Sequence, residues 1–245
     1  MRRPDLGPRH RCGDCAVSAE AVCHVLPPPE LGAFRESGSQ ANFTAGQTLF
    51  HEGDPASSVF SLTRGMVMLY TILADGRRHI TDFLHPGDYI GTGEEGVRTL
   101  SAEAVGEVTA CRFAVRQIEG MTTENPAFAR AQYRKAASLL HTAERQGVTL
   151  ACCNADERVT RFLCEMEART RAVRPSRSRI IDLPMSRSDI GDHLGLSRES
   201  VSRSLARLAR SGFIRIPSLR TVELVDLPSL RRIANGLAAD QPHFE

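Results

Sequence analysis

Three cysteines stand within twelve residues near the start of the chain: Cys12-Gly13-Asp14-Cys15, then Cys23 after seven intervening residues. Soft thiolates select iron–sulfur clusters or zinc, and a CxxC step lets two sulfurs approach one metal centre without strain. A cubane cluster needs four such ligands, so a local trio requires a distant fourth. His10 and His24 flank the trio and keep a mixed zinc site open, although zinc modules usually show a second CxxC. Buried or idle thiols are the plainer alternative. Cys152, Cys153 and Cys164 fall in helical pattern, where small apolar packing is expected, with a redox role open for the adjacent pair.

A second group lies near the other end. Glu199, Ser202 and Arg203 sit at i, i+3 and i+4 and so share one helical face. These side chains suit major-groove base edges: Arg bonds guanine O6 and N7, Glu accepts from the cytosine amino group, and Ser contacts base edges or phosphate. A solvated face with Glu199–Arg203 pairing is the alternative. Ser197 and Arg198 open the same segment and join the candidate DNA-binding set.

The elements that position these residues are legible in outline. Ser186 or Ser188 can cap a short helix that Gly195 ends, and Ser197 caps the next, with Ser200 standing where a full capping box would have Glu. Val201, Leu205 and Leu208 give that second helix one apolar face, which completes a helix-turn-helix pattern. Phe213–Ile216 and Thr221–Leu224 read as a hairpin, the wing of a winged helix. Upstream, from about Phe43 to Val115, short apolar runs alternate with Gly turns at a spacing of about ten residues, which suits a β-sandwich or barrel with jelly-roll closure. Asp75-Gly76 marks a hairpin between Met66–Ile72 and Arg78–Phe83. Phe128–Cys153 reads as a long helix with a thin apolar stripe of Phe128, Ala131, Leu139 and Val148, either connecting or self-associating. Asp156–Glu167 reads as a helix, Arg169–Arg179 as a loop or hairpin, and Leu26-Pro27-Pro28-Pro29 as an extended stop. The expected fold is thus α+β. Its segments are a Cys-rich one (1–30), a β-roll (31–125), a dimerisation helix (126–154) and a winged helix-turn-helix (155–245).

Charge agrees with this division. The net charge is only +2, yet Ala155–Arg220 holds fourteen Arg against eight Asp or Glu, the asymmetry expected where a polyanion docks. An Arg-rich surface from biased composition is the alternative, since the chain has thirty Arg and only Lys135. No run approaches the roughly 18 apolar residues of a membrane span. The basic N-terminus lacks an apolar signal core, so a cytoplasmic protein with reduced thiols is expected. No Ser-His-Asp or paired-carboxylate motif stands out, and the eight His form no HxxxH pair, so an enzyme is not expected.

In order of parts, from about residue 12 to 225, the sequence resembles the CRP/FNR family of bacterial regulators. The carriers are Glu199-Ser200-Val201-Ser202-Arg203, similar to the E-x-x-S-R signature of the FNR branch, Asn154–Arg158, and His79–Gly91. The resemblance implies a homodimer reading a TTGAT-like half-site twice in an inverted repeat. It also implies a [4Fe–4S] cluster on Cys12, Cys15, Cys23 and Cys111, because FNR-type oxygen sensors pair an N-terminal Cys trio with one β-roll Cys. The C-x2-C-x7-C spacing looks like the variant of α-proteobacterial regulators. Oxygen would then degrade the cluster, loosen the dimer and release DNA. The Thr71–Arg78 hairpin could touch RNA polymerase as an activating surface. Rival readings are a family regulator without a cluster, controlled by abundance or thiol oxidation, and one with a small-molecule ligand in the β-roll. For a cyclic nucleotide, Arg98-Thr99 is the nearest anion-binding step, but Leu100 precedes Ser101 where the family's phosphate-binding Arg stands.

Overall fold

The computed structural model describes residues 15, 17, 21–91, 93, 95–173 and 179–237. Its residues cluster into two compact units, Met1–Thr71 with Thr81–Leu140, and Ile72–Ile80 with His141–Glu245.

The first unit is built on two antiparallel four-stranded sheets. Strands β1 (Ser39–Phe43), β8 (Val108–Ala114), β3 (Ser58–Arg64) and β6 (Tyr89–Ile90) form one, in that order. The other runs β2 (Thr48–Phe50), β7 (Ser101–Ala104), β4 (Val67–Ile72), β5 (Arg78–Leu84). Strand alternation divides the side chains. Phe60 and Leu62 of β3 and Val108 and Ala110 of β8 enter the core between the sheets, with Val67 and Leu84 opposite. Val59 and Phe113, one residue out of phase, face the other way. There they meet a second apolar cluster made by Val22, Leu26, Phe34, Ile118 and Phe128. The expected hairpin forms at Asp75-Gly76, where Gly76 holds φ +84° and donates to Leu73 O at 2.8 Å.

The Pro run does not make an extended stop. Leu26 and Pro27 are extended, but helix α1 (Pro28–Ser37) starts directly after them. Proline at the first helical turn loses no hydrogen bond and arrives with φ preset, so Pro28 and Pro29 open a helix instead of blocking one. Helix α2 (Val115–Glu124) leads into α3 (Pro126–Cys152).

The second unit contains α4 (Ala155–Val173), β9 (Ile180–Asp182), α5 (Arg187–Leu194), α6 (Arg198–Arg210), the β10–β11 hairpin (Ile214–Ser218, Thr221–Leu224) and α7 (Leu227–Ala234). The three strands form one sheet ordered β10-β11-β9. Helix α4 outruns its expected end by six residues: Ala168–Val173 stay helical, where a loop or hairpin is expected from Arg169. Ala and Arg are strong helix formers, and buried Glu167 accepts from Arg171 at 3.3 Å across one turn. Phe162, Leu163, Ile190, Leu194, Val201 and Leu205 are all at most 3% exposed and supply its core.

Candidate nucleic-acid interface and cysteine site

Helix α5 begins at Ser186, whose Oγ accepts from Asp189 N–H at 3.1 Å while the Asp189 carboxylate accepts from Ser186 N–H at 2.8 Å. This reciprocal pair fixes the start. The helix stops at Gly195, in the left-handed region at φ +62°, ψ +38°, a conformation that costs glycine little. Gly191 is needed for a different reason: a Cβ there would stand 2.5 Å from Leu196 O, so only glycine lets the turn fold back this tightly. Arg158 of α4 braces the same turn, donating to Leu194 O and Leu150 O, each at 2.9 Å. Sequence reasoning met Arg158 only inside the Asn154–Arg158 segment. Asn154 itself caps α4, accepting from Asp156 and Glu157 N–H.

Ser197 caps α6 by accepting from Ser200 N–H at 3.1 Å. Val201, Ser204, Leu205 and Leu208 are buried, while Ser197, Arg198, Glu199, Ser202 and Arg203 are all exposed. One face therefore holds the helix in place, and the candidate reading set stands on the other. Among the described residues no ion pair joins Glu199 to Arg203; the Arg203 guanidinium donates to Ser200 Oγ at 3.2 Å. Both side chains keep hydrogen-bonding capacity for an external partner. Arg207, one turn on, points elsewhere: it donates to Asp156 of α4 at 2.8 Å, tying α6 to its support. That hydrogen bond holds the Asp156 carboxyl below its ordinary range. Beyond α6, the β10–β11 hairpin displays Arg215 and Arg220 beside Leu219, which is 87% exposed. His193 of α5 is buried, and burial lowers its imidazole to about 4 despite a hydrogen bond with Ile80 O at 3.0 Å.

Of the four candidate cluster ligands, Cys12 lies outside the described residues, as does His10. Cys15 is half-buried. Cys23 occupies a single 3-10 turn, Val22–Val25, and Cys111 lies on β8 opposite Gln40 and Ser61. These two, 88 positions apart in sequence, pack against the same apolar cluster of Val22, Leu26, Phe34 and Phe113. Alternation along β8 is the cause, since it turns Cys111 and Phe113 toward the N-terminal segment. Among the described residues no three His, Cys, Asp or Glu side chains converge as a metal set. Cys152 is exposed at the end of α3, contrary to the packing role expected of it. Cys164 does fit that role, its thiol pushed up to about 11 by burial.

The long helix shows a comparable split. Phe128 is 1% exposed and Ala131 packs beside it on the cluster under β8, so half of the expected association stripe belongs to the chain's own core. Tyr133, Leu139, Leu140 and Val148 remain open to solvent, from 38% to 74%.

A capped helix pair with a polar outward face, followed in sequence by a strand hairpin and preceded by a β-roll, is the make-up of a DNA-binding regulator with a second, all-β domain. Residues 157–233 match the Crp-like helix-turn-helix domain, and residues 40–125 match the Cyclic nucleotide-binding domain. The chain is 39% identical to the nitrogen fixation regulation protein FixK of Bradyrhizobium diazoefficiens, over 84% of its own length and 87% of the relative's. It is 29% identical to the transcriptional activator protein FnrL of Cereibacter sphaeroides, over 90% of each. The solved structure of FixK2 from Bradyrhizobium japonicum superimposes with a TM-score of 0.74 at 32% identity, covering 83% of this chain and 98% of that one. The chain belongs to the CRP/FNR family of transcription regulators. It is a DNA-binding regulator and not an enzyme, and dimerisation is typical of its family. No helix among the described residues is long and apolar enough to cross a membrane.

Proposed function

We propose that this regulator reads a TTGAT-like inverted repeat as a homodimer and that oxygen controls its binding. The observation that carries the DNA reading is the outward face of α6, where Glu199, Ser202 and Arg203 are exposed while the opposite face is fully buried. A helix held this way presents its first two turns to the major groove. There Arg203 would pair with a guanine and Glu199 with a cytosine amino group, with Ser202 between them. Ser197 and Arg198, at the helix start, are placed for backbone phosphates. The exposed residues Tyr133, Leu140 and Val148 of α3 support a partner helix covering that face, and such a dimer would set two recognition helices on two half-sites. The exposed Ile72 and Leu73 beside the Asp75-Gly76 turn support a contact with RNA polymerase at that hairpin.

For the oxygen response, Cys12, Cys15, Cys23 and Cys111 are the residues that would hold a [4Fe–4S] cluster. Cys23 and Cys111 fit such a role: both are half-buried thiols on one apolar cluster, where solvent is partly excluded. A cluster bound there supplies an oxygen-sensitive tie between the N-terminal segment and β8. The packing of both Cys23 and Cys111 against the cluster of Val22, Leu26, Phe34 and Phe113 supports this reading. The test is anaerobic purification with iron and acid-labile sulfide assays. About four of each per protomer is the expected result, falling sharply in Cys111→Ser; an anaerobic preparation without iron or sulfide contradicts the cluster. Control by thiol oxidation without a cluster is the second reading, favoured by the exposed thiol of Cys152.

A further inference from the structure

One row of side chains crosses the β1-β8-β3-β6 sheet on the face turned away from the core between the sheets. The register pairs Tyr89 of β6 with Ser61 of β3, and Ser61 in turn with Cys111 of β8. Ile90 and Phe60, one residue along, belong to the core between the sheets. Alternation therefore puts Tyr89, Ser61 and Cys111 together on the opposite face. There Tyr89 and Cys111 pack against the same apolar cluster as Cys23. The Tyr89 hydroxyl is buried, and among the described residues it has no hydrogen-bond partner.

A buried hydroxyl with nothing to bond is costly, and folded proteins keep few of them without a water, an ion or a ligand to account for each. Phenylalanine would fill the same place on the apolar cluster without that cost. Two strand spacings separate Tyr89 from Cys111, about 10 Å between backbones. The residue between them, Ser61, is small, so an aromatic side chain can lean across it toward the thiol. Burial raises the Tyr89 hydroxyl above the ordinary tyrosine range, so it keeps its proton and meets a thiolate as a donor.

We propose that the Tyr89 hydroxyl donates a hydrogen bond to the sulfur of Cys111 when that thiolate holds a [4Fe–4S] cluster, and so fixes the ligand that the β-roll contributes. The role rests on the four-cysteine cluster reading and adds to it a residue that supplies no ligand of its own. A hydrogen bond to a thiolate stabilises its negative charge and orients the sulfur, as outer partners of metal ligands do generally. Tyr89 is in this sense a positioning residue. Its hydroxyl gains a partner only on loading, so removing it should weaken the loaded form alone.

The test compares the full-length chain with Tyr89→Phe, each purified anaerobically and measured both with iron and sulfide in place and after both are removed. Stripped of iron, Tyr89→Phe is expected to melt at the same temperature as the unaltered chain or higher. Loaded, the variant should melt lower and lose iron to the chelator EDTA about tenfold faster or more. Resonance Raman spectra supply the signature of the hydrogen bond itself. Transfer to D2O should shift the Fe–S(Cys) stretching bands of the unaltered chain, and the shift should shrink in Tyr89→Phe. Equal iron loss and equal deuterium shifts in the two proteins overturn the role of Tyr89 and leave the cluster standing. A melting temperature lowered equally with and without iron marks a purely structural role and overturns it too. An unaltered chain that carries no iron or sulfide overturns the cluster reading and this role together.

Discussion

On the proposed reading, Arg203 and Glu199 meet base edges with side chains exposed on a helix fixed by its opposite face, so their replacement should change selectivity and leave folding alone. Arg203→Ala is expected to weaken binding to the cognate duplex by about 1–3 kcal/mol and to relax discrimination at one base pair of each half-site. Arg198→Ala should weaken cognate and scrambled duplexes alike and lower the salt dependence; competition titrations at two salt concentrations separate these outcomes. Gly191 makes the opposite kind of prediction. Gly191→Ala forces a Cβ to 2.5 Å from Leu196 O, so it should lower the melting temperature by an amount equivalent to about 1–3 kcal/mol, measured by circular dichroism. The division of α6 into a buried and an outward face was legible in sequence because helical spacing alone sorts Val201, Leu205 and Leu208 from Glu199, Ser202 and Arg203. The supports were not. Arg158 reaching Leu194 O and Arg207 reaching Asp156 are contacts between helices, and no local pattern encodes them.

Among the elements, the sequence marks periodicity more clearly than partners. The apolar stripe of α3 is real, but its first members, Phe128 and Ala131, are covered by the chain's own cluster. A 3.6-residue period cannot distinguish an intramolecular cover from a second copy. The two halves should therefore respond differently. Phe128→Ala should destabilise the β-roll unit by about 3–5 kcal/mol, seen as a lower unfolding midpoint in urea. Leu140→Asp, at a side chain 62% exposed, should leave that midpoint unchanged and weaken the dimer by about tenfold or more. Sedimentation velocity showing an unaltered dimer would remove α3 from the interface. The two element errors have physical causes as well. A proline run suggests a stop, yet the first turn of a helix accommodates Pro28 and Pro29, and the Arg-rich run suggests a loop or hairpin, yet Glu167–Arg171 carries α4 through Arg169–Val173.

At the scale of the whole molecule, stability should be set partly by a histidine that sequence reasoning did not single out. Burial lowers His193 to about 4 from an ordinary 6.5, and His79 and Arg169 reinforce that direction. The unfolded chain therefore binds a proton that the folded one refuses. Stability is complete above pH 6.5 and falls as pH drops from there toward 4, by an amount on the order of 3 kcal/mol. His193→Gln, which keeps a donor for Ile80 O, should flatten the difference in melting temperature between about pH 7.5 and about pH 5. Equal slopes in the two proteins would show that His193 is not the titrating group. Of the candidate cysteines, spacing marks the N-terminal trio, whereas the packing of Cys111 on the same apolar cluster as Cys23 follows from the alternation of β8, which requires the strand register. The most direct test of the regulatory account is a fluorescence-anisotropy titration of the anaerobically prepared chain, at fixed salt, on a duplex with two TTGAT-like half-sites and on its scrambled counterpart. The inverted repeat should be bound about a thousandfold more tightly or better, with one dimer per duplex; equal affinity for the two duplexes would contradict sequence-specific reading by α6.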